Sequence, residues 1–260
     1  MYSTVFPKQI VVGTGKKIYF ISDFHLGAPT SEESLIRERK ICQWLETIKT
    51  DVSILFILGD VFDFWFEYRH VVPKGYVRIL GKLAEIADNG VPIYLFTGNH
   101  DMWMFDYLPK ELGVKLYRQP KEFVFDNKKF LIGHGDGLGP GDHGYKFIKK
   151  VFANKFCQWL FARLHPNFGI AIANFWSRKS RQHTGHHDAK YLGDEKEYLV
   201  QYIIETEKTS HFDFYIFGHR HLPIDKQIGD SHYINLGDWL SYFTYAEWDG
   251  SKLSLRKFEA

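Results

Sequence analysis

Five short stretches of the chain carry side chains able to bind metal ions or move protons. They are Asp23-Phe24-His25, Gly59-Asp60-Val61-Phe62-Asp63, Gly98-Asn99-His100-Asp101, Gly133-His134-Gly135-Asp136 and Gly218-His219-Arg220-His221. Asp23, His25, Asp60, Asn99, His134, His219 and His221 offer oxygen or imidazole-nitrogen donors. That set is too large for one ion and suits two. A carboxylate bridging them would hold the ions roughly 3.5–4 Å apart, the spacing used in two-metal hydrolysis of phosphate esters. The mixture of nitrogen and oxygen donors disfavours a closed structural zinc site, which wants thiolates. It suits manganese, iron or zinc with room left for water. Any one of these residues alone is equally well explained as a turn former or a solvated group, and Gly before Asp or Asn is an ordinary turn signal. Their recurrence is what points to a site.

Each stretch follows an apolar run of the kind that forms a buried strand. Lys17 to Ser22 leads to Asp23-Phe24-His25, and residues two apart on an extended segment share a side, so Asp23 and His25 can address one point. Ser53 to Leu58 leads to Gly59-Asp60, Val91 to Phe96 to Gly98-Asn99, Lys128 to Ile132 to Gly133-His134, and Phe212 to Phe217 to Gly218-His219. Helical patterns lie between, from Ser31 to about Lys49 and from Tyr76 to Ala87. Alternating strands and helices predict an α/β layered domain spanning 1–260. In such folds the carboxyl ends of the strands gather on one edge, where ligands bind. His232 to Asn235, Ser241 to Trp248 and Lys252 to Lys257 read as short strands of a second sheet.

The 260 residues are 45% hydrophobic and 17% aromatic, ample for a sizeable core and unlike a disordered chain. A formal charge of +2 implies no nucleic-acid partner by itself. Cys42 and Cys157 are isolated thiols, which makes a reducing cytosol the default expectation. The first residues contain no signal-peptide core, and no apolar run is long enough to span a bilayer.

The order D-x-H, G-D-x-x-D, G-N-H-D, G-H-G-D and G-H-x-H resembles the calcineurin-like metallophosphoesterase superfamily, over most of the chain. The resemblance implies a four-layer α-β-β-α sandwich with a dinuclear centre. One ion would take Asp23, His25, Asp60 and His221. The other would take Asp60, Asn99, His134 and His219, with Asp60 bridging. It also implies that His100 sits at the phosphate as general acid or transition-state stabiliser. Asp63 would orient this imidazole and raise its pKa. Asp101 and Asp136 read as supports for ligand imidazoles, although turn chemistry explains them nearly as well.

The stretch from His143 to His187 breaks the strand–helix rhythm. It has no acidic residue and eight basic ones: Lys146, Lys149, Lys150, Lys155, Arg163, Arg178, Lys179 and Arg181. Apolar residues such as Ile148, Phe152, Phe156 and Leu160 recur at helical spacing. Pro166 divides the stretch, predicting helices over roughly 144–164 and 168–182. A basic amphipathic hairpin of this kind suits an anionic membrane surface or an acidic amphiphile. It would equally serve as a cover for core with its basic face in water.

This insertion, with Gly59 to Trp65 and Asn235-Leu236-Gly237-Asp238-Trp239, is similar to the UDP-2,3-diacylglucosamine pyrophosphohydrolase family of lipid A synthesis. That similarity implies a UDP-linked acylated sugar as substrate, cleaved at the α-phosphorus to UMP and 2,3-diacylglucosamine 1-phosphate. It implies two divalent ions, manganese first, and peripheral contact with the cytoplasmic face of an inner membrane. A nucleic-acid partner is not expected, because the apolar residues fall at core-like helical spacing rather than scattered as stacking platforms, and no protein partner is predicted. In the family's best-known branch an Arg stands where this chain has His100. Arg178 and Arg181 are candidates to replace that cation, and Trp65 is a further candidate substrate contact. The rival readings are a soluble phosphodiesterase or phosphatase acting on nucleotides or phosphoproteins, and a non-enzymatic scaffold on the same fold. The scaffold reading expects eroded ligand positions.

Overall fold

The structure, a computed structural model, describes residues 9–141, 143–184 and 190–259, and of residues 178–184 only the course of the backbone. Strand β1 (Lys17–Ile21) shows how the layers arise. Its side chains alternate: Tyr19 and Ile21 pack beneath helices, while Ile18 and Phe20 face a second sheet. Period-two alternation of apolar residues on both faces is what a strand in a middle layer requires.

The first sheet runs β11 (Leu253–Lys257), β10 (Thr244–Trp248), β1, β2 (Val52–Ile57), β3 (Ile93–Phe96), β4 (Lys115–Tyr117). β1 to β4 are parallel, and β10 and β11 are antiparallel additions beside β1. The second sheet runs β5 (Lys121–Phe125), β6 (Lys128–Ile132), β7 (Phe214–Phe217), β9 (Ser231–Leu236), β8 (Pro223–Ile228). Helices α1 (Ser31–Ile48), α2 (Val77–Asp88) and α3 (Tyr107–Leu112) cover the first sheet through Trp44, Ile79, Leu83 and Leu108. Helix α7 (Tyr198–Glu207) covers the second through Leu199, Val200 and Ile203. The aromatic layer between the sheets, built on Phe20, Phe56, Phe125, Phe130 and Trp248, completes an α-β-β-α sandwich. The tail therefore departs from the expectation in part. β9 joins the second sheet, but β10 and β11 extend the first, because Ala246 and Trp248 register against Phe20 and Ile18 of β1.

Local sequence explains the start of α1, and a tertiary contact the start of α2. Thr30 caps α1, its hydroxyl oxygen accepting from the Glu33 N–H, while the Glu33 carboxylate accepts the Thr30 hydroxyl at 2.9 Å. This is the forward half of a capping box, with the Glu33 carboxylate returning to the Thr30 hydroxyl rather than to its backbone N–H. Tyr76 before α2 has no capping side chain. The buried Glu38 of α1 substitutes, accepting from Arg78 N and Ile79 N at 3.0 and 3.1 Å.

The basic segment forms three helices rather than two: α4 (His143–Ala153), α5 (Lys155–Phe161) and α6 (Pro166–Thr184). Asn154 makes the break. Its side-chain oxygen accepts from Phe156 N and Cys157 N, starting a new helix where the periodicity alone predicted continuation. The end of the expected cap, 185–187, lies outside the described residues.

Candidate active site

The carboxyl ends of β1, β2, β3, β6 and β7 converge, and the seven donor residues read from the sequence come together there. Asp23, His25, Asp60 and His221 present ligand atoms that all lie within 4.8 Å of one another, and so do Asp60, His134 and His219. Asp60 belongs to both groups. Its Oδ2 lies 3.6 Å from His25 Nε2 and 3.4 Å from His134 Nε2. Asn99 joins the second group, with Oδ1 3.2 Å from His134 Nε2.

The backbone is strained to achieve this. Asp23, His25, Asp60, His219 and His221 all have φ between 44° and 65°. L-residues rarely occupy that left-handed region, and such strain concentrates at functional sites. Two glycines have a different function from the turn role their sequence suggests. A Cβ on Gly98 would lie 2.1 Å from Asp60 Oδ1, and one on Gly218 would lie 2.4 Å from Asp23 Oδ2. These positions are bare so that the carboxylates can occupy the space.

The donor set fits divalent cations. Asp60 Oδ2 is buried without a hydrogen-bond partner, a costly state for a carboxylate oxygen unless a cation meets it. Burial alone would raise the Asp23 carboxyl, but hydrogen bonds with His221 and His25 outweigh it and hold Asp23 well below the carboxylate range. Burial likewise opposes a charged His25 and His134. Hydrogen bonds to Asp23 and Asp63 in the first case, and the Asp60 charge in the second, overcome it and lift both imidazoles to about 10. The carboxylates thus demand positive charge at the two places where ions would sit. Burial and the neighbouring His134 push His219 down to about 4, so it is neutral at physiological pH, as a metal-ligating imidazole must be. His134 is oriented for the same role: its Nδ1 lies 2.6 Å from the Leu58 carbonyl, which can only accept, so Nδ1 carries the hydrogen and Nε2 faces Asp60 and Asn99.

His100 sits beside this centre and lines a cavity. Its backbone N–H donates to Asp60 Oδ1 at 2.9 Å, and its Nδ1 meets the backbone carbonyl of Asp63 at 3.0 Å. The expected orienting carboxylate is 3.7 Å away, so the main chain of Asp63, not its side chain, holds the ring. Nor is the imidazole raised. Burial lowers it, more than the Asp60 and Asp63 charges restore. The Asp63 carboxylate instead accepts the hydroxyl of Ser177 at 2.9 Å, and Ser177 Oγ lies 3.3 Å from His100 Nδ1. Ser177 comes from α6. One small polar residue in a basic and aromatic helix gives no sequence signal, so nothing in the sequence marks it.

The supporting acids also differ from expectation. Asp101 accepts from Gly98 N at 2.7 Å and Val61 N at 2.8 Å, fastening two strand-end loops together rather than holding an imidazole. Asp136 reaches the cap, pairing with Lys149 at 2.6 Å and accepting the Tyr145 hydroxyl. Trp65 cannot meet a substrate. It is fully buried under the first sheet, its ring 4.2 Å from that of Phe62. The side chains of Arg178 and Arg181 lie outside the described residues. Asn235 and Trp239, from the similarity near the C-terminus, are structural. Asn235 Nδ2 donates to the Gly218 carbonyl at 2.6 Å, and Trp239 is fully buried against Trp44.

The calcineurin-like phosphoesterase family model matches residues 16–223, which include every one of these strand-end motifs. The chain belongs to that family. This phosphoesterase is 39% identical to a UDP-2,3-diacylglucosamine hydrolase of Porphyromonas gingivalis, over 94% of its own length and 98% of the relative's. It is 30% identical to a protein of the same name from Proteus mirabilis, with 92% and 98% covered, and 29% identical to one from Haemophilus influenzae, with 86% and 91% covered. Family and Asp/His cluster together make this phosphoesterase a metal-dependent hydrolase that uses divalent ions.

Between the site and the cap the phosphoesterase contains a cavity of about 390 Å³. Asn99, His100, Asp63, Ser177, Tyr145 and Lys149 give its lining polar atoms, while Phe64, Trp103, Phe152, Phe161, Ile172 and Trp176 make most of the remainder apolar. Phe161 pins the cap down, its ring 4.7 Å from Trp103 and 4.8 Å from Phe66.

Proposed function

We propose that this phosphoesterase hydrolyses the pyrophosphate of UDP-2,3-diacylglucosamine, giving UMP and 2,3-diacylglucosamine 1-phosphate. The observation that carries this reading is the cavity. It is lined both by His100 and Asn99 and by aromatic side chains of the cap. An apolar lining beside the phosphate site suits a phosphate joined to acyl chains. The names of the most similar relatives agree with it.

In this reading Asp23, His25, Asp60 and His221 hold one ion, and Asp60, Asn99, His134 and His219 the other. Two divalent ions bound there, manganese by resemblance, would neutralise phosphate oxygens and generate a hydroxide nucleophile near neutral pH. With the Nδ1 hydrogen of His100 engaged by the Asp63 carbonyl, Nε2 is the nitrogen left to face a phosphate oxygen, and it would stabilise the growing charge there once it too carries a proton, as the imidazolium. Ser177 ties the cap helix to the same corner, so that a seated acyl chain and a positioned phosphate are parts of one geometry. Arg178 and Arg181, which follow Ser177 on α6, would supply further positive charge to the pyrophosphate.

Mass spectrometry of the manganese-loaded enzyme's products tests this. UDP-2,3-diacylglucosamine should be cleaved, and the matching UDP-sugar without acyl chains should lose at least about 10² in kcat/KM. At about 0.8 kcal/mol per buried methylene, about four methylenes already account for that. Equal rates on both substrates, or faster cleavage of simple phosphodiesters, would count against the reading.

The cap's outer face extends the proposal to a membrane surface. Phe156, Trp159, Phe168 and Phe175 are all exposed, beside Lys150, Lys155 and Arg163. No helix among the described residues is long and apolar enough to cross a membrane. The composition suits shallow docking on anionic lipid. The protein should sediment with vesicles rich in anionic lipid, and Trp159→Ser with Phe156→Ser should weaken this about tenfold or more. Binding that ignores both substitutions would exclude this face.

A further inference from the structure

Arg220 stands between two of the proposed ligands, His219 and His221, yet its side chain does not join them. It is 4% exposed, and its guanidinium forks onto the equally buried carboxylate of Glu197, with Nε at 3.0 Å from Oε2 and Nη2 at 3.1 Å from Oε1. Nη2 also donates to the Lys190 carbonyl at 2.6 Å. The same Glu197 carboxylate accepts the Leu192 N–H at 3.0 Å. Residues 190–192 are the first described ones after the cap, and Glu197 immediately precedes α7. One buried ion pair therefore binds the chain returning from the cap to the loop that carries two metal-ligand candidates.

That loop needs an external hold. His219 and His221 both adopt left-handed backbone conformations, with φ of 65° and 53°, which the chain does not favour by itself. Hydrogen bonds secure its first half: Gly218 N donates to the His134 carbonyl, and His219 N to Asp23 Oδ2 at 3.0 Å. In its second half the His221 ring lies against Asp23, with Nε2 3.1 Å from Oδ1, while the Arg220 fork ties the chain between the two imidazoles to the segment returning from the cap. A buried ion pair is an expensive way to gain stability alone, since desolvation consumes much of the attraction. A planar, bidentate fork does fix direction, which a ligand loop requires.

We propose that Arg220 and Glu197 are a positioning pair that sets the metal affinity of the His219–His221 loop by fastening it to the segment returning from the cap. This rests on reading His219 and His221 as metal ligands. Groups that orient metal ligands typically change affinity 10–100-fold when removed.

The test is Mn²⁺ binding to the full chain, by calorimetry or chelator competition, with thermal melting of the metal-free protein measured alongside. Glu197→Gln keeps the shape and removes the charge. Arg220→Lys keeps the charge and removes the fork. Both should weaken Mn²⁺ binding by about tenfold or more while the metal-free protein remains folded. A merely structural pair would lower the metal-free melting temperature and leave the affinity of the folded protein within twofold of wild type, which would overturn the proposal. His219→Ala is the control for the underlying reading. If it leaves Mn²⁺ binding intact, the ligand assignment fails first. If it weakens binding while both pair variants bind normally, only the positioning role fails.

Discussion

Asp60→Asn should leave the protein folded and unable to keep two ions. The substitution preserves volume and an oxygen for the His100 N–H, now 2.9 Å from Oδ1. It removes the charge from the oxygen that lies 3.6 Å from His25 Nε2 and 3.4 Å from His134 Nε2. Each proposed ion loses a ligand at once, because Asp60 belongs to both donor groups. Metal content should fall from about two ions per chain to one or none. Turnover should fall by about 10³ or more, since metal stabilisation of the phosphate is worth several kcal/mol and each 1.36 kcal/mol is tenfold. Elemental analysis after gel filtration reads the first effect directly. Two ions retained per chain would end the bridging assignment.

His100→Ala should do the opposite: both ions stay and turnover goes. The hydrogen bond that links this residue to the metal centre comes from its backbone N–H, which alanine keeps; the ring adds only an edge-on packing contact with His25, at 4.7 Å between centroids. What disappears is the imidazole, held by the Asp63 carbonyl at 3.0 Å and facing the cavity. Loss of one positioned charge stabiliser or acid costs about 10²–10³ in kcat, with a smaller change in KM. Metal content and kcat measured on the same sample separate the two roles. A kcat within threefold of wild type would remove His100 from the chemistry.

Much of this site is legible in the sequence, for a physical reason. Strand ends in an α/β sheet must converge, so residues that directly follow successive apolar runs become neighbours in space. Asp23, Asp60, Asn99, His134 and His219 obey that rule. What the sequence hides is how each residue is held. Asp63 looks like a carboxylate partner for His100, but its main chain does that work while its side chain takes Ser177. Trp65, just past the G-D-x-x-D motif, looks like a substrate contact and is core. Spacing cannot say which face of a loop turns inward. Arg220 is hidden more deeply, because its partner lies 23 residues earlier, across the cap's return. The sheet that β10 and β11 join is equally hidden. Short alternating strands carry no mark of their sheet, and here the register of Trp248 against Ile18 decides it. Asn154 shows the reverse case: its capping side chain is a helix-start signal in plain view, set inside a helical periodicity that masks it.

In the proposed reaction a metal-dependent site hydrolyses a UDP-linked, acylated sugar at the α-phosphorus. Turnover of UDP-2,3-diacylglucosamine by the manganese-loaded enzyme in ¹⁸O-water, followed by mass spectrometry, tests it most directly. One ¹⁸O should appear in UMP and none in 2,3-diacylglucosamine 1-phosphate. Label in the sugar phosphate would place attack at the other phosphorus, and no cleavage at all would contradict the substrate.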